Sequence, residues 1–148
     1  MTVARARHPA DPATAFSLAV RVYWEDTDAV GVVFYANYLK FFERARTEWL
    51  RGLGFAQERM RAEAGIAFVV TETSVRYRLP ARLDDLLDVT VQVVHRGLAS
   101  LVVAQRASRA GEVLAEGTIR IGCIELGTFR PRRFPDDILT QLKALPQR

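Results

Sequence analysis

Hydrophobic and polar positions follow two different periods along this chain. From Phe16 to Trp24 the spacing is strand-like, with Phe16, Leu18, Val20 and Val22 on one face. A polar turn, Glu25-Asp26-Thr27-Asp28, comes next, and a short apolar run, Gly31-Val32-Val33-Phe34-Tyr35, leads into a helix. In that helix Tyr38, Phe41, Phe42, Ala45, Trp49 and Leu53 recur at steps of three and four and form one apolar stripe. Lys40, Glu43, Arg44, Thr47, Glu48 and Arg51 take the other side. Asn37 is placed to cap the helix start, and Gly52 and Gly54 to stop it. A second, short helix is expected over Phe55–Ala64, ending at Gly65.

After Gly65 the period shifts to two. Ile66–Tyr77 is rich in Val, Thr and aromatic residues, and Pro80 and Asp84-Asp85 interrupt it. Leu87–His95 alternates Leu87, Val89, Val91 and Val93. Gly97 marks a turn into a strand over Leu101–Ser108, and Ala110-Gly111 reads as a hairpin turn. A last strand covers Val113–Leu126, with a bulge expected at Gly117 or Gly122. Arg130-Pro131-Arg132-Arg133-Phe134-Pro135 is basic and extended, and Asp136 is placed to cap a final helix over Ile138–Leu145.

The order is therefore strand, long helix, short helix and four strands. Tight turns join the last three strands, so those pairs are antiparallel. One long helix packed on such a sheet makes an α+β domain, and the width of the aromatic stripe implies a sheet that curves around it. The 148 residues suit one domain, since domains most often run about 100–150 residues. Residues 1–15 show no apolar period and are expected to form a mobile tail, leaving 16–148 as the single domain.

Composition narrows the setting. Apolar residues make up 49% and charged residues 26%, which argues against a disordered chain. The single cysteine, Cys123, excludes an internal disulfide and a multi-cysteine zinc site. No apolar run reaches the roughly 20 residues of a membrane-spanning helix. Arg5 and Arg7 are not followed by a long apolar stretch, which argues against a secretory signal. A reducing cytoplasm fits these features. Net charge is +4, and 19 of the 21 basic residues are arginine. An anionic small molecule, nucleic acid and an anionic membrane surface would all suit that excess, although charge alone favours no more than a basic protein in solution. The basic residues do not interleave with aromatics along one stripe, which argues against nucleic acid.

Most catalytic patterns are absent. Asp26-Thr27-Asp28 begins like a calcium loop, but Val30 and Asn37 stand where oxygen ligands would be required. His8 and His95 have no partner at zinc-ligand spacing. There is no Gly-x-Ser-x-Gly elbow, no phosphate loop and no dinucleotide fingerprint, and Cys123 reads as a small core hydrophobe. One constellation remains. Asp28 lies in a loop shortly before a long helix, whose start presents unpaired N–H groups and about half a positive charge. Such N–H groups can hold a carbonyl oxygen as it becomes an oxyanion, and a nearby carboxylate can attack that carbonyl or activate water. Together these are two requirements of acyl transfer. On spacing alone, a turn- or cap-forming role for Asp28 outweighs a catalytic one.

A family resemblance shifts that balance. The stretch Arg21-Val22-Tyr23-Trp24-Glu25-Asp26-Thr27-Asp28-Ala29-Val30-Gly31-Val32-Val33-Phe34-Tyr35-Ala36-Asn37-Tyr38 resembles the signature of the 4-hydroxybenzoyl-CoA thioesterase family. Its branch of short acyl-CoA thioesterases encoded beside the Tol–Pal genes of Gram-negative bacteria is the most similar. Phe42-Glu43-Arg44-Ala45-Arg46-Thr47-Glu48 and Pro80-Ala81-Arg82-Leu83-Asp84-Asp85 match that branch too, so the resemblance runs from about Arg21 to Pro135. It implies the hotdog fold, a long central helix wrapped by a curved antiparallel sheet of about five strands.

The resemblance also implies roles. Asp28 matches the family's catalytic carboxylate, as nucleophile or general base. Gly31 matches the glycine that turns the chain toward the helix. Tyr35 falls where the family uses a backbone N–H to polarise the thioester carbonyl. Many Tol–Pal-branch members carry His at that position and the hydroxybenzoyl branch carries Tyr, so only the backbone role transfers. Arg96, Arg132 and Arg133, with Ser100, are the candidates for the phosphates of coenzyme A, and exposed solvating arginines are an equal reading of each. Glu48 is assigned a dimer contact ahead of a helix salt bridge, and that ahead of the site. Implied besides are an acyl-CoA or acyl-carrier-protein substrate, no cofactor, a homodimer or homotetramer with sites between subunits, and a cytoplasmic place, peripheral to the inner membrane. The rival is a non-hydrolytic acyl-CoA or acyl-carrier-protein binding scaffold, which the intact Asp28 and Gly31 disfavour. A hotdog dehydratase would require a catalytic His near the helix start, and neither His8 nor His95 is there.

Overall fold

A computed structural model of the protein describes residues 15–145. The mobile tail expected over 1–15 lies, apart from Ala15, outside the described residues. The elements run β1 (Phe16–Arg21), a 3-10 turn (Trp24–Asp26), α1 (Asn37–Gly52), α2 (Gln57–Ala64), β2 (Ile66–Tyr77), β3 (Leu86–Arg96), β4 (Ser100–Arg109), β5 (Glu112–Glu125) and α3 (Asp136–Ala144). The five strands form one sheet in the order β1-β3-β4-β5-β2, and every neighbouring pair is antiparallel. This is the α+β hotdog architecture expected from the resemblance: a long helix seated in an antiparallel sheet.

The helix stripe is the core. Tyr38, Phe41, Phe42, Ala45 and Trp49 are buried, and Leu50 joins them, while Leu53 packs only part-buried at the edge. They meet Leu87, Val89, Val91 and Val93 of β3 and Leu101, Val103 and Ala107 of β4. Phe41 and Phe42 are fully enclosed, and burial of such a side chain contributes about 1.5–3 kcal/mol. Helix α1 packs on β3, β1 and β4. Strand β2 lies at the edge of the sheet, and its residues from Val70 to Ser74 are exposed. Among the described residues, no helix is long and apolar enough to cross a membrane.

Several local expectations are corrected. The first strand stops at Arg21 and not Trp24, because the buried Asp26 carboxylate accepts the Tyr23 N–H at 2.8 Å and winds the chain into the 3-10 turn. Asn37 does not cap α1. It is the first helical residue, and the cap position falls to Ala36, which offers no side-chain acceptor. Nor does Asp136 cap α3, whose cap position is Pro135. The strand irregularities avoid both glycines: the extra residues in the registers are Thr71 on β2, Val94 on β3 and Leu114 on β5. Gly117 instead serves a close approach, since a Cβ there would lie 2.2 Å from the carbonyl oxygen of Ser74 on β2.

Candidate active site

The site is assembled from the link between β1 and α1. The Asp28 N–H donates to the Val32 carbonyl at 2.9 Å, and the Gly31 N–H donates back to the Asp28 carbonyl at 3.0 Å. Closing this loop puts Gly31 at φ +82°, a left-handed conformation that costs a residue with a Cβ about 1–2 kcal/mol. The Asp28 carboxylate is exposed, and its Oδ1 accepts the Val30 N–H at 2.9 Å and the Val32 N–H at 3.4 Å. It therefore does form a turn, as spacing suggested, and the bonds that make the turn also aim the carboxylate.

Beyond the loop the chain is pinned at successive points before the helix. Thr27 bridges Val33. The Val33 N–H donates to the Ala81 carbonyl at 2.8 Å, and the Phe34 N–H to the Asp26 carbonyl at 3.0 Å. The Asn37 side chain donates its Nδ2–H to that same Asp26 oxygen at 2.8 Å. The Asn37 N–H takes the Phe34 carbonyl at 2.8 Å. The N–H groups of Tyr35 and Ala36 donate to no other described residue. They are the free amides of a helix start, where the partial positive charge of α1 gathers.

Aromatic rings flank these amides. The Tyr35 ring is 61% exposed and lies 4.8 Å from Phe34 and 5.9 Å, edge-on, from Tyr77, centroid to centroid. Tyr77 also meets Tyr38 at 5.6 Å. Burial raises the Tyr77 phenol above its usual range, and the neighbouring Tyr35 adds to the rise. The Tyr38 phenol is raised as well, chiefly by burial, although its oxygen accepts the Ala81 N–H at 3.2 Å.

Ala81 belongs to the loop between β2 and β3, and the two stretches that carry the family resemblance thus touch. Val32 bridges Arg82, and Val33 bonds Ala81. The loop is braced from behind: Asp85 Oδ2 accepts the Arg82 N–H at 2.8 Å and Arg109 Nη1 at 2.7 Å. Burial pushes the Asp85 carboxyl up, but those hydrogen bonds and the two arginine charges hold it below the usual range.

The proposed nucleotide-binding residues lie elsewhere. Arg96, Ser100, Arg132 and Arg133 gather at one end of the sheet, where the Phe134 N–H meets Leu98 and the Arg132 N–H meets Cys123. The Asp28 loop belongs with the other end, where Val32 bridges Arg82 in the loop into β3 and Tyr35 meets Tyr77. A strand the length of β3 separates the ends by about 30 Å. Each arginine also has a structural use. Arg96 Nη1 donates to the Leu142 carbonyl of α3 at 2.8 Å, Arg132 Nη1 to the Ala64 carbonyl of α2 at 3.0 Å, and Arg133 lies 4.0 Å from Asp136. Glu48 pairs with Arg51 one turn along α1, the salt-bridge option. With Lys40, Glu43, Arg44 and Thr47 it lines an open groove of about 380 Å³ on the polar side of the helix. Among the described residues, no three His, Cys, Asp or Glu side chains gather to hold a metal ion.

Sequence reasoning missed Asp26, Asn37 as a tether, Tyr77 and Ala81. Asp26 and Asn37 stand inside the quoted signature, so their polarity was a usable signal. Tyr77 and Ala81 are distant in sequence and reach the site only through the sheet.

The architecture and the site loop fit a model of the thioesterase-like superfamily, which matches residues 22–142. This chain belongs to that superfamily. Within it, the chain is 46% identical over 123 residues to the acyl-CoA thioesterase YbgC of Haemophilus influenzae, covering 83% of this chain and 90% of the relative. It is 43% identical over 131 residues to the acyl-CoA thioester hydrolase YbgC of Escherichia coli, covering 88% and 97%. A solved structure of a probable thioesterase from Bartonella henselae superposes with a TM-score of 0.78 at 32% identity, covering 82% of this chain and 99% of that one.

Proposed function

We propose that Asp28 and the helix-start amide of Tyr35 together hydrolyse the thioester of an acyl-CoA. The chain is an acyl-CoA thioester hydrolase, as its relatives' activity and shared length support. One observation carries the assignment of residues: an exposed carboxylate held in a backbone-bonded turn sits just before two free amides of a helix start. In one route the Asp28 carboxylate takes a proton from water while the water oxygen bonds to the acyl carbon. In the other, a carboxylate oxygen bonds to that carbon directly, and water later cleaves the resulting anhydride. In both, the carbonyl electrons move onto the oxygen that the Tyr35 N–H holds. Collapse then breaks the C–S bond, the sulfur leaves with the electron pair and takes up a proton, and acid and free thiol remain. Coenzyme A enters as part of the substrate, and the proposal needs no further cofactor.

The active unit in this reading is at least a homodimer. Among the described residues strand β2 pairs with β5 on one side only, and Val70 on it is 48% exposed. A long open edge of this kind is a template for another strand. Two β2 edges paired antiparallel about a two-fold axis would set the Ile66 end of one copy beside the Tyr77 end of the other. That brings the partner's basic end toward the site, which is the arrangement in which Arg96, Ser100, Arg132 and Arg133 could meet the nucleotide. A tetramer, an acyl-carrier-protein thioester as substrate, and a cytoplasmic place peripheral to the inner membrane are compatible extensions.

The test is release of thiol from short aliphatic, long aliphatic and aromatic acyl-CoAs by wild type and Asp28→Asn. Turnover by wild type and its loss in a folded variant supports the assignment. Binding of acyl-CoA without thiol release from any substrate would instead support a binding scaffold.

A further inference from the structure

We infer that Asn37 is a positioning residue, which fixes the oxyanion donor relative to the reacting carboxylate by tying the first turn of α1 to the main chain beside Asp28. The inference rests on the Asp28–Tyr35 reading above and extends it to how the two groups keep their separation.

The polarity of the Asn37 bond sets its role. An Asn that caps a helix accepts an N–H of that helix with its side-chain oxygen. Asn37 does the reverse: its Nδ2–H donates away from α1, to the Asp26 carbonyl at 2.8 Å. The same oxygen accepts the Phe34 N–H at 3.0 Å. A carbonyl oxygen has two lone pairs, so one atom, two residues before Asp28, holds the chain on both sides of Tyr35. That atom is itself held fast. Asp26 is only 5% exposed, its carboxylate accepts the Tyr23 N–H at 2.8 Å, and its own N–H donates to the Tyr23 carbonyl at 3.0 Å.

The other ties do not replace this one. The Thr27–Val33 bridge and the Val33–Ala81 bond both act before Phe34. Tyr38 anchors the helix to Ala81, but on the sheet side and after the donor. Among the described residues, the Asn37 side chain makes the hydrogen bond that reaches from the helix back to the segment that carries Asp28. Without its donor the first turn of α1 keeps its backbone bonds, but the Asp26 carbonyl holds the chain on the Phe34 side of Tyr35 alone. A displacement of about 1 Å between reacting groups can cost roughly 100-fold in rate.

The test is thiol release by Asn37→Ala, Asn37→Leu and Asp28→Asn, with kcat, KM and Tm measured for each. Asn37→Leu keeps the branched shape, lacks the donor, and adds no charge beside the Tyr35 amide. Both Asn37 variants are expected to lose kcat by about 10–100-fold with KM within a few-fold and Tm within a few degrees of wild type. If Asn37→Ala fails to fold, the similarly shaped Asn37→Leu decides. Wild-type kcat in a folded Asn37 variant, beside an inactive Asp28→Asn, overturns the inference and leaves the site standing. A joint collapse of kcat and Tm in both variants would make Asn37 merely structural and also overturns it. Full activity in Asp28→Asn would remove the site reading, and this inference with it.

Discussion

Oδ1 of Asp28 accepts the backbone N–H of Val30 at 2.9 Å, so the side chain of a loop residue is held by the loop it helps to form. An Asn side chain offers an oxygen in the same place. Asp28→Asn should therefore fold and melt close to wild type while losing the charge. We expect kcat to fall by about 100–10,000-fold, the range for a removed acid–base group, measured by thiol release on a variant shown to be folded.

The Tyr35 amide can be deleted separately from its ring. Tyr35→Phe keeps the N–H and should leave kcat within a few-fold of wild type. Tyr35→Pro removes the N–H, and loss of one oxyanion donor costs roughly 100–1000-fold. Equal rates in the two variants would dismiss the amide as the donor.

Two glycines should fail in different ways. Gly31 sits at φ +82° with open space around it, so Gly31→Ala strains only the backbone and should cost about 1–2 kcal/mol in urea unfolding. At Gly117 the added methyl would stand 2.2 Å from the Ser74 oxygen. There β5 and β2 must part, so Gly117→Ala should cost more than Gly31→Ala.

Acid should loosen the loop that carries Ala81. The folded-state pKa of Asp85 lies below its unfolded value, since Arg109 and Arg82 outweigh the opposing effect of burial. Its contribution is thus complete above the unfolded value of about 3.9 and is lost as pH falls through the folded one. Thermal melts at pH 7 and pH 3 should show Asp85→Asn less stable than wild type at pH 7, with a smaller difference at pH 3. A constant difference would exclude the Asp85 charge as its source.

Light scattering tests the open edge of β2. Wild type should run at the mass of a dimer or larger. Val70→Lys, which places a charge on that edge, should shift it toward the monomer. A wild-type monomer at assay concentration would refute the shared-site arrangement.

Much of the fold was legible because it rests on local periods. The α1 stripe around Phe41 and Phe42, the alternation from Leu87 to Val93, and the Ala110-Gly111 turn all appear as read. The bulges at Thr71, Val94 and Leu114 were hidden, because a bulge is a property of two strands in register. Gly117 was singled out for the wrong reason: its need is set by Ser74 on the neighbouring strand. Within the site, Asp28 and Gly31 stood out by residue type. The Asp26 carbonyl could not, since every residue has one, and only the fold shows which carbonyls are used twice.

The two stretches that form the site meet through main-chain atoms, Val33 on Ala81 and Val32 on Arg82. Contacts of this kind do not depend on side-chain identity, but they depend strictly on spacing along the chain. The crossing from β2 to β3 should therefore accept changed letters far better than changed length. One residue inserted between Leu79 and Ala81 would shift the acceptor past Val33, draw the buried Ala81 out of the core and disarm the site.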